Sequence, residues 1–121
     1  MKRAEEKVYQ EICNEEEYKK LFEKKNDILY IIDVYTQWCG PCVFTFEIIN
    51  KIYKTNFAFS EGVKILAVCA QTISSLKNYD NNSKPFYIIL KNGEIIRQIQ
   101  GCNTPHIFSL IDEHLTNVKM N

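Results

Sequence analysis

Cys39-Gly40-Pro41-Cys42 places two thiols two residues apart, behind Trp38 and a run of apolar and β-branched residues. Such a pair can close into a small disulfide and reopen, which is the chemistry of thiol–disulfide exchange. A thiol attacks a disulfide only as its thiolate. The spacing that follows the motif predicts a helix starting there, so Cys39 stands at a helix N-terminus. Unpaired amides and the helix dipole favour negative charge at that end. Cys39 is therefore the expected exposed, acidified nucleophile. Cys42, about one turn further in, is the expected resolving thiol. Pro41 removes an amide that the first turn leaves unbonded anyway, and it stiffens the turn. It also biases the pair toward reduction. A zinc site is the chemical competitor, because Cys39, Cys42, Cys102 and His106 form a nominal ligand set. A second cysteine drawn into a helix and a proline between the thiols both disfavour a zinc turn, and no metal is expected.

Asp33 interrupts the apolar stretch Ile31-Ile32-Asp33-Val34, where burial is expected. A buried carboxylate is costly and tends to hold its proton near neutral pH. Six positions before Cys39 on the preceding strand, it is placed to sit beneath the motif and to accept and return the Cys42 proton.

The elements that must position these groups are legible in the patterning. Val8–Ile12 alternates as an opening strand. Asn14 and Glu17 form a capping box, and Glu15, Glu16 and Glu17 suit the positive end of a helix whose apolar stripe is Tyr18, Leu21 and Phe22. Ile28–Tyr35 is nearly continuously apolar, the mark of a strand buried on both faces. Val43, Phe46, Ile49 or Asn50, Tyr53 and Phe57 recur at helical spacing, so one long helix is expected up to Ser60-Glu61-Gly62. Val63–Ala70 is the next strand. Thr72 begins a short helix with Ile73 and Leu76 inward, and residues 81–85 form a loop. Phe86–Leu90 and Ile95–Ile99 flank Asn92-Gly93, a strong signal for a two-residue hairpin. Pro105 suits the first turn of a last helix burying Ile107, Leu110, Ile111, Leu115 and Val118, with His114 in the same stripe as a satisfied structural histidine. The order β-α-β-α-β-α-β-β-α predicts an α/β fold with a mixed central sheet of about five strands and helices on both faces.

Composition narrows the class. A chain of 121 residues with 45% hydrophobic and 25% charged residues fits one globular domain spanning 1–121. Net charge is zero, with no basic cluster, so neither nucleic acid nor a membrane surface is an expected partner. No apolar stretch is of membrane-spanning length, and the charged N-terminus shows no signal-peptide pattern. Five cysteines, an odd number, suit a reducing compartment better than a fully paired secreted scaffold. Cytoplasm is the expected location. Cys13 and Cys69 read as core or strand thiols, and Cys102 as a small buried side chain beside the groove.

Trp38-Cys39-Gly40-Pro41-Cys42, Asp33, Pro85 and Lys91-Asn92-Gly93-Glu94 together resemble thioredoxin, over nearly the whole chain. The resemblance implies a thioredoxin fold and reduction of protein disulfides, with no cofactor beyond the redox-active Cys39–Cys42 disulfide. It also implies electrons from NADPH through thioredoxin reductase. Pro85 matches the family's cis-proline, which sets Lys84 and Pro85 against the disulfide, where the Lys84 backbone can pair with an extended substrate. Trp38, Gly40, Pro41 and Gly101 match residues lining the same substrate groove. Three positions depart from the family pattern. Val43 replaces the usual basic residue, Glu47 replaces a helix-kinking proline, and Ala67 replaces a frequent charged partner of the buried aspartate. Tyr35-Thr36-Gln37-Trp38, the Leu76–Pro85 spacing and Gly101-Cys102-Asn103-Thr104-Pro105 are similar to one branch of the superfamily. That branch comprises thioredoxin domains of flagellar outer-arm dynein light chains and those joined to nucleoside diphosphate kinase modules. It implies a dynein or other cytoskeletal partner, which leaves the axoneme open as a location.

Overall fold

Residues 9–36, 43–53, 57–76, 86–101 and 103–120 are described by a computed structural model. Five strands form one sheet: β1 (Gln10–Ile12), β2 (Leu29–Tyr35), β3 (Val63–Cys69), β4 (Phe86–Lys91) and β5 (Glu94–Gln100). Their order across the sheet is β1-β3-β2-β4-β5. The first three are parallel, and β4 and β5 run antiparallel to their neighbours. The mixed five-stranded sheet expected from the element order is therefore present.

The Ile28–Tyr35 run predicts a strand covered on both faces, and β2 is that strand, central and buried. Leu29 and Ile31 pack with Ile49 of α2 (Val43–Tyr53), Phe59 of α3 (Phe57–Gly62) and Ile107, Ile111 and Leu115 of α4 (Thr104–Met120). Tyr30, Ile32 and Val34 face the other way, against Tyr18 and Leu21 of α1 (Glu15–Leu21) and against Ile73 and Leu76. Strand side chains alternate between faces, so β2 alone supplies the centre of two cores.

Local chemistry explains the boundaries. Asn14 caps α1 from an extended conformation, and its Oδ1 accepts the Glu17 amide at 2.9 Å. The reciprocal bond runs from the Asn14 side-chain amide to the Glu17 carboxylate at 3.1 Å, in place of the usual backbone N–H. Asn92 and Gly93, at φ +53° and +78°, form the two left-handed positions of a tight hairpin between β4 and β5. Asn103 caps α4, its Oδ1 accepting the His106 amide at 3.3 Å, with Pro105 in the first turn as expected.

Three expectations are modified. The long helix after the motif is described as two segments, α2 and α3, with residues 54–56 outside the described residues. The third strand ends at Cys69, and the short helix expected from Thr72 is 3₁₀ instead, over Ala70–Thr72 and again over 74–76. The reason is local. Thr72 Oγ1 bonds back to the Cys69 carbonyl at 2.9 Å, and β-branched Ile73 is extended, which still turns Ile73 and Leu76 inward. Finally, β5 carries a bulge: Ile89 pairs with Arg97, but Leu90 pairs with Ile95. The extra residue leaves Ile95 and Ile96 exposed on the edge strand, 41% and 38%, among Glu94, Arg97 and Gln98. Charges and a bulge are common guards of a free sheet edge.

His114 departs from a fully satisfied structural histidine. Its Nε2–H donates to the Gly62 carbonyl at 2.9 Å, tying α4 to the end of α3, but its buried Nδ1 has no hydrogen-bond partner among the described residues. Burial lowers the His114 pKa, Lys91 lowers it further, and Gly62 and Asp27 only partly oppose this. The unfolded chain then binds the extra proton first. Stability is constant above the unfolded pKa near ~6.5 and falls as pH drops below it, by at most about 1.4 kcal/mol per pH unit. Urea midpoints taken from pH 7.5 to 5 should show this decline. They should show less of it in His114→Gln, whose amide can still donate to Gly62.

Candidate redox site

Asp33 and Gly101 are the expected site residues that the structure describes. Trp38, Cys39, Gly40, Pro41, Cys42, Lys84 and Pro85 lie outside the described residues, as does Cys102. The flanks of the motif are described. The chain leaves the central strand at Tyr35, passes the buried Thr36, and is helical from Val43 onward. The motif thus joins the C-terminal edge of a central parallel strand to a helix, the position at which open α/β sheets carry their sites.

Asp33 is 1% exposed. It falls on the same face of β2 as Leu29 and Ile31, the face covered by α2 and α4. Its in-register neighbours are Ala67 on β3 and Tyr87 on β4. Position 67 therefore does stand beside Asp33, and it offers a methyl group and no charge. The departure from the family pattern at that position is a real change in the aspartate's surroundings.

The next carboxylate on this face comes from β1. Glu11 pairs in register with Ala67, so Glu11, Ala67 and Asp33 form one row across three strands. With strands ~4.8 Å apart, the Glu11 and Asp33 backbones are roughly 10 Å apart across the small Ala67 side chain. Tyr35, two residues beyond Asp33, donates its phenol O–H to Glu11 Oε1 at 2.8 Å. Burial first, and then the Glu11 carboxylate, push the Tyr35 pKa up, so the phenol stays neutral and holds that proton. Sequence patterning misses this pair. Its only signal is the β1–β3 register, which a three-residue strand does not announce.

Gly101 follows β5 at φ +83°, a conformation that L side chains rarely adopt, and a Cβ built there meets nothing within 4 Å among the described residues. Open space over its backbone is what a groove-lining glycine requires. Of the nominal zinc ligands, His106 alone falls among the described residues.

The sheet order and the placement of the helices are those of the thioredoxin class. The chain matches the thioredoxin family model over residues 9–113 and belongs to that family. It is 29% identical over 104 residues to the 14 kDa light chain of the flagellar outer-arm dynein of Chlamydomonas reinhardtii, covering 85% of this chain and 78% of that one. It is 34% identical over 92 residues to thioredoxin domain-containing protein 3 of Mus musculus, covering 73% of this chain but only 16% of that longer protein. A thioredoxin of Malassezia sympodialis, 24% identical, superposes with a TM-score of 0.65 over 88% of this chain and 93% of its own. That likeness carries the fold.

Proposed function

We propose that the chain is a thioredoxin-type protein-disulfide reductase acting through Cys39 and Cys42. The observation that carries this reading is the position of Asp33: fully buried, on the sheet face that α2 covers, with the Cys-x-x-Cys segment directly preceding that helix. The Cys39 thiolate attacks a substrate disulfide, forming a mixed disulfide and releasing one substrate thiolate. Asp33 takes the Cys42 proton. The Cys42 thiolate then attacks the Cys39 sulfur, closing the Cys39–Cys42 disulfide and expelling the second substrate thiol. NADPH, through thioredoxin reductase, supplies the two electrons that restore the dithiol. Trp38, Gly40, Pro41, Lys84, Pro85 and Gly101 form the groove that receives the extended substrate backbone. No metal takes part.

A second reading is favoured by a specific observation, the similarity to a flagellar dynein light chain across most of that protein's length. In it, the chain is a redox-sensitive binding subunit of an axonemal dynein or other cytoskeletal complex, with little general turnover. The first reading places the chain in the cytoplasm, the second in the axoneme. Among the described residues no helix is long and apolar enough to cross a membrane.

Insulin reduction by dithiothreitol tests the first reading: the chain should accelerate it well above the uncatalysed rate, and no acceleration overturns reductase activity. A Cys42→Ser trap separates the two readings, because it leaves substrates joined to Cys39. A broad set of captured proteins supports a general reductase, and one dominant cytoskeletal partner supports the dedicated subunit.

A further inference from the structure

Beyond the Cys39–Cys42 couple, two further thiols stand at the ends of the paired strands β1 and β3. The parallel register pairs Gln10 with Leu66, Glu11 with Ala67 and Ile12 with Val68. The ladder ends there, and the same register continued by one step sets Cys13 opposite Cys69. Asn14, just past Cys13, has extended dihedrals, φ −150° and ψ 170°, and Cys69 is extended at φ −82°, ψ 125°. Both side chains also belong to one face. Odd-numbered residues of β3 (Val63, Ile65, Ala67) and the partly buried Tyr9 before β1 all join the core on the α2/α4 side. Neighbouring parallel strands lie ~4.8 Å apart, inside the ~4.4–6.8 Å Cα window of a disulfide. Cys13 is the first residue outside the ladder, so no strand bond prevents it from closing the remaining gap.

Both thiols are free, with Cys13 exposed and Cys69 half-buried. Cys13 makes a long contact, 4.0 Å, from its sulfur to the Glu11 carbonyl. Cys69 pairs in register with Tyr35, whose phenol bonds Glu11.

We infer that Cys13 and Cys69 form a second redox couple, oxidised by small disulfides of the glutathione type, which pins edge strand β1 to β3. The exposed Cys13 thiolate attacks glutathione disulfide, forming a mixed disulfide and releasing one glutathione thiolate. The Cys69 thiolate then attacks the Cys13 sulfur and displaces the second. Two protein thiols lose two electrons and two protons, and one glutathione disulfide becomes two glutathione thiols. Nothing in this couple depends on the reductase reading.

The test isolates the pair in a Cys39→Ser, Cys42→Ser, Cys102→Ser chain, equilibrated in glutathione buffers of stepped ratio and then alkylated and peptide-mapped. The expected result is a cross-linked peptide joining Cys13 to Cys69, with both thiols protected from alkylation together. Adding Cys69→Ser should leave glutathione fixed on Cys13. The oxidised chain should also show a shift of its urea midpoint to higher denaturant. The inference is overturned if glutathione stays on Cys13 while Cys69 is present, or if Cys69 is alkylated throughout. Peptide mapping of the unsubstituted oxidised chain, where the 13–69 link is distinct from the 39–42 link, gives the same decision should the substituted chain fail to fold.

Discussion

On the reductase reading, serine at position 39 should abolish catalysed insulin reduction, and asparagine at position 33 should slow it without unfolding the chain. The two losses differ in kind. A serine hydroxyl is not ionised near neutral pH and forms no mixed disulfide, so Cys39→Ser leaves no first step. Asp33→Asn keeps the side chain's size at a site that is 1% exposed, so the core around Ala67 and Tyr87 is preserved. In the proposed mechanism it removes the acceptor for the Cys42 proton, and general-base effects of this kind are worth roughly 10²–10⁴-fold. The loss should appear in the second step alone. Rapid-quench single turnovers should show normal formation of the mixed disulfide and its accumulation in Asp33→Asn, followed by slow release. An unchanged release rate would remove Asp33 from the mechanism while leaving the Cys39 nucleophile standing.

The parts of this fold that local sequence dictates were readable in advance. The Ile28–Tyr35 run, the Asn14 cap and the Asn92-Gly93 turn each carry their own signal: an apolar run, an amide acceptor at the right spacing, and two residues that tolerate positive φ. What stayed hidden depends on registers between strands. No local pattern announces that β5 gains a residue at Ile96, so the exposure of Ile95 and Ile96 appears only once β4 is set beside it. The Glu11–Tyr35 hydrogen bond is of the same type, because β3 lies between its two strands. The placement of Asp33 was legible because one charge inside an isoleucine-rich strand is conspicuous. The identity of its neighbour became meaningful only when the β2–β3 register set Ala67 beside it. The same register logic brings Cys13 to Cys69, two thiols 56 positions apart in sequence that no spacing rule would connect.

Gly93→Ala should destabilise the chain by about 3 kcal/mol or more, and Gly101→Ala by about 1–2 kcal/mol, although both glycines have nearly the same φ, +78° and +83°. The shared part is backbone strain, ~1–2 kcal/mol for a Cβ in the left-handed region. The difference is what the Cβ meets. At Gly101 nothing among the described residues lies within 4 Å, so strain is the cost expected there. At Gly93 a Cβ overlaps the Phe22 carbonyl oxygen and comes within 2.9 Å of Lys25 Nζ. A backbone carbonyl cannot swing aside as a side chain can. The turn must therefore move off the end of α1, breaking the 3.1 Å bond from Lys25 Nζ to the Asn92 carbonyl. Gly93 thus lets the β4–β5 hairpin sit directly against the chain leaving α1, a close approach that no described residue makes at Gly101. Urea denaturation of the two variants measures the gap. If they lose equal stability, strain at positive φ accounts for both, and the hairpin does not rest on the Phe22 carbonyl.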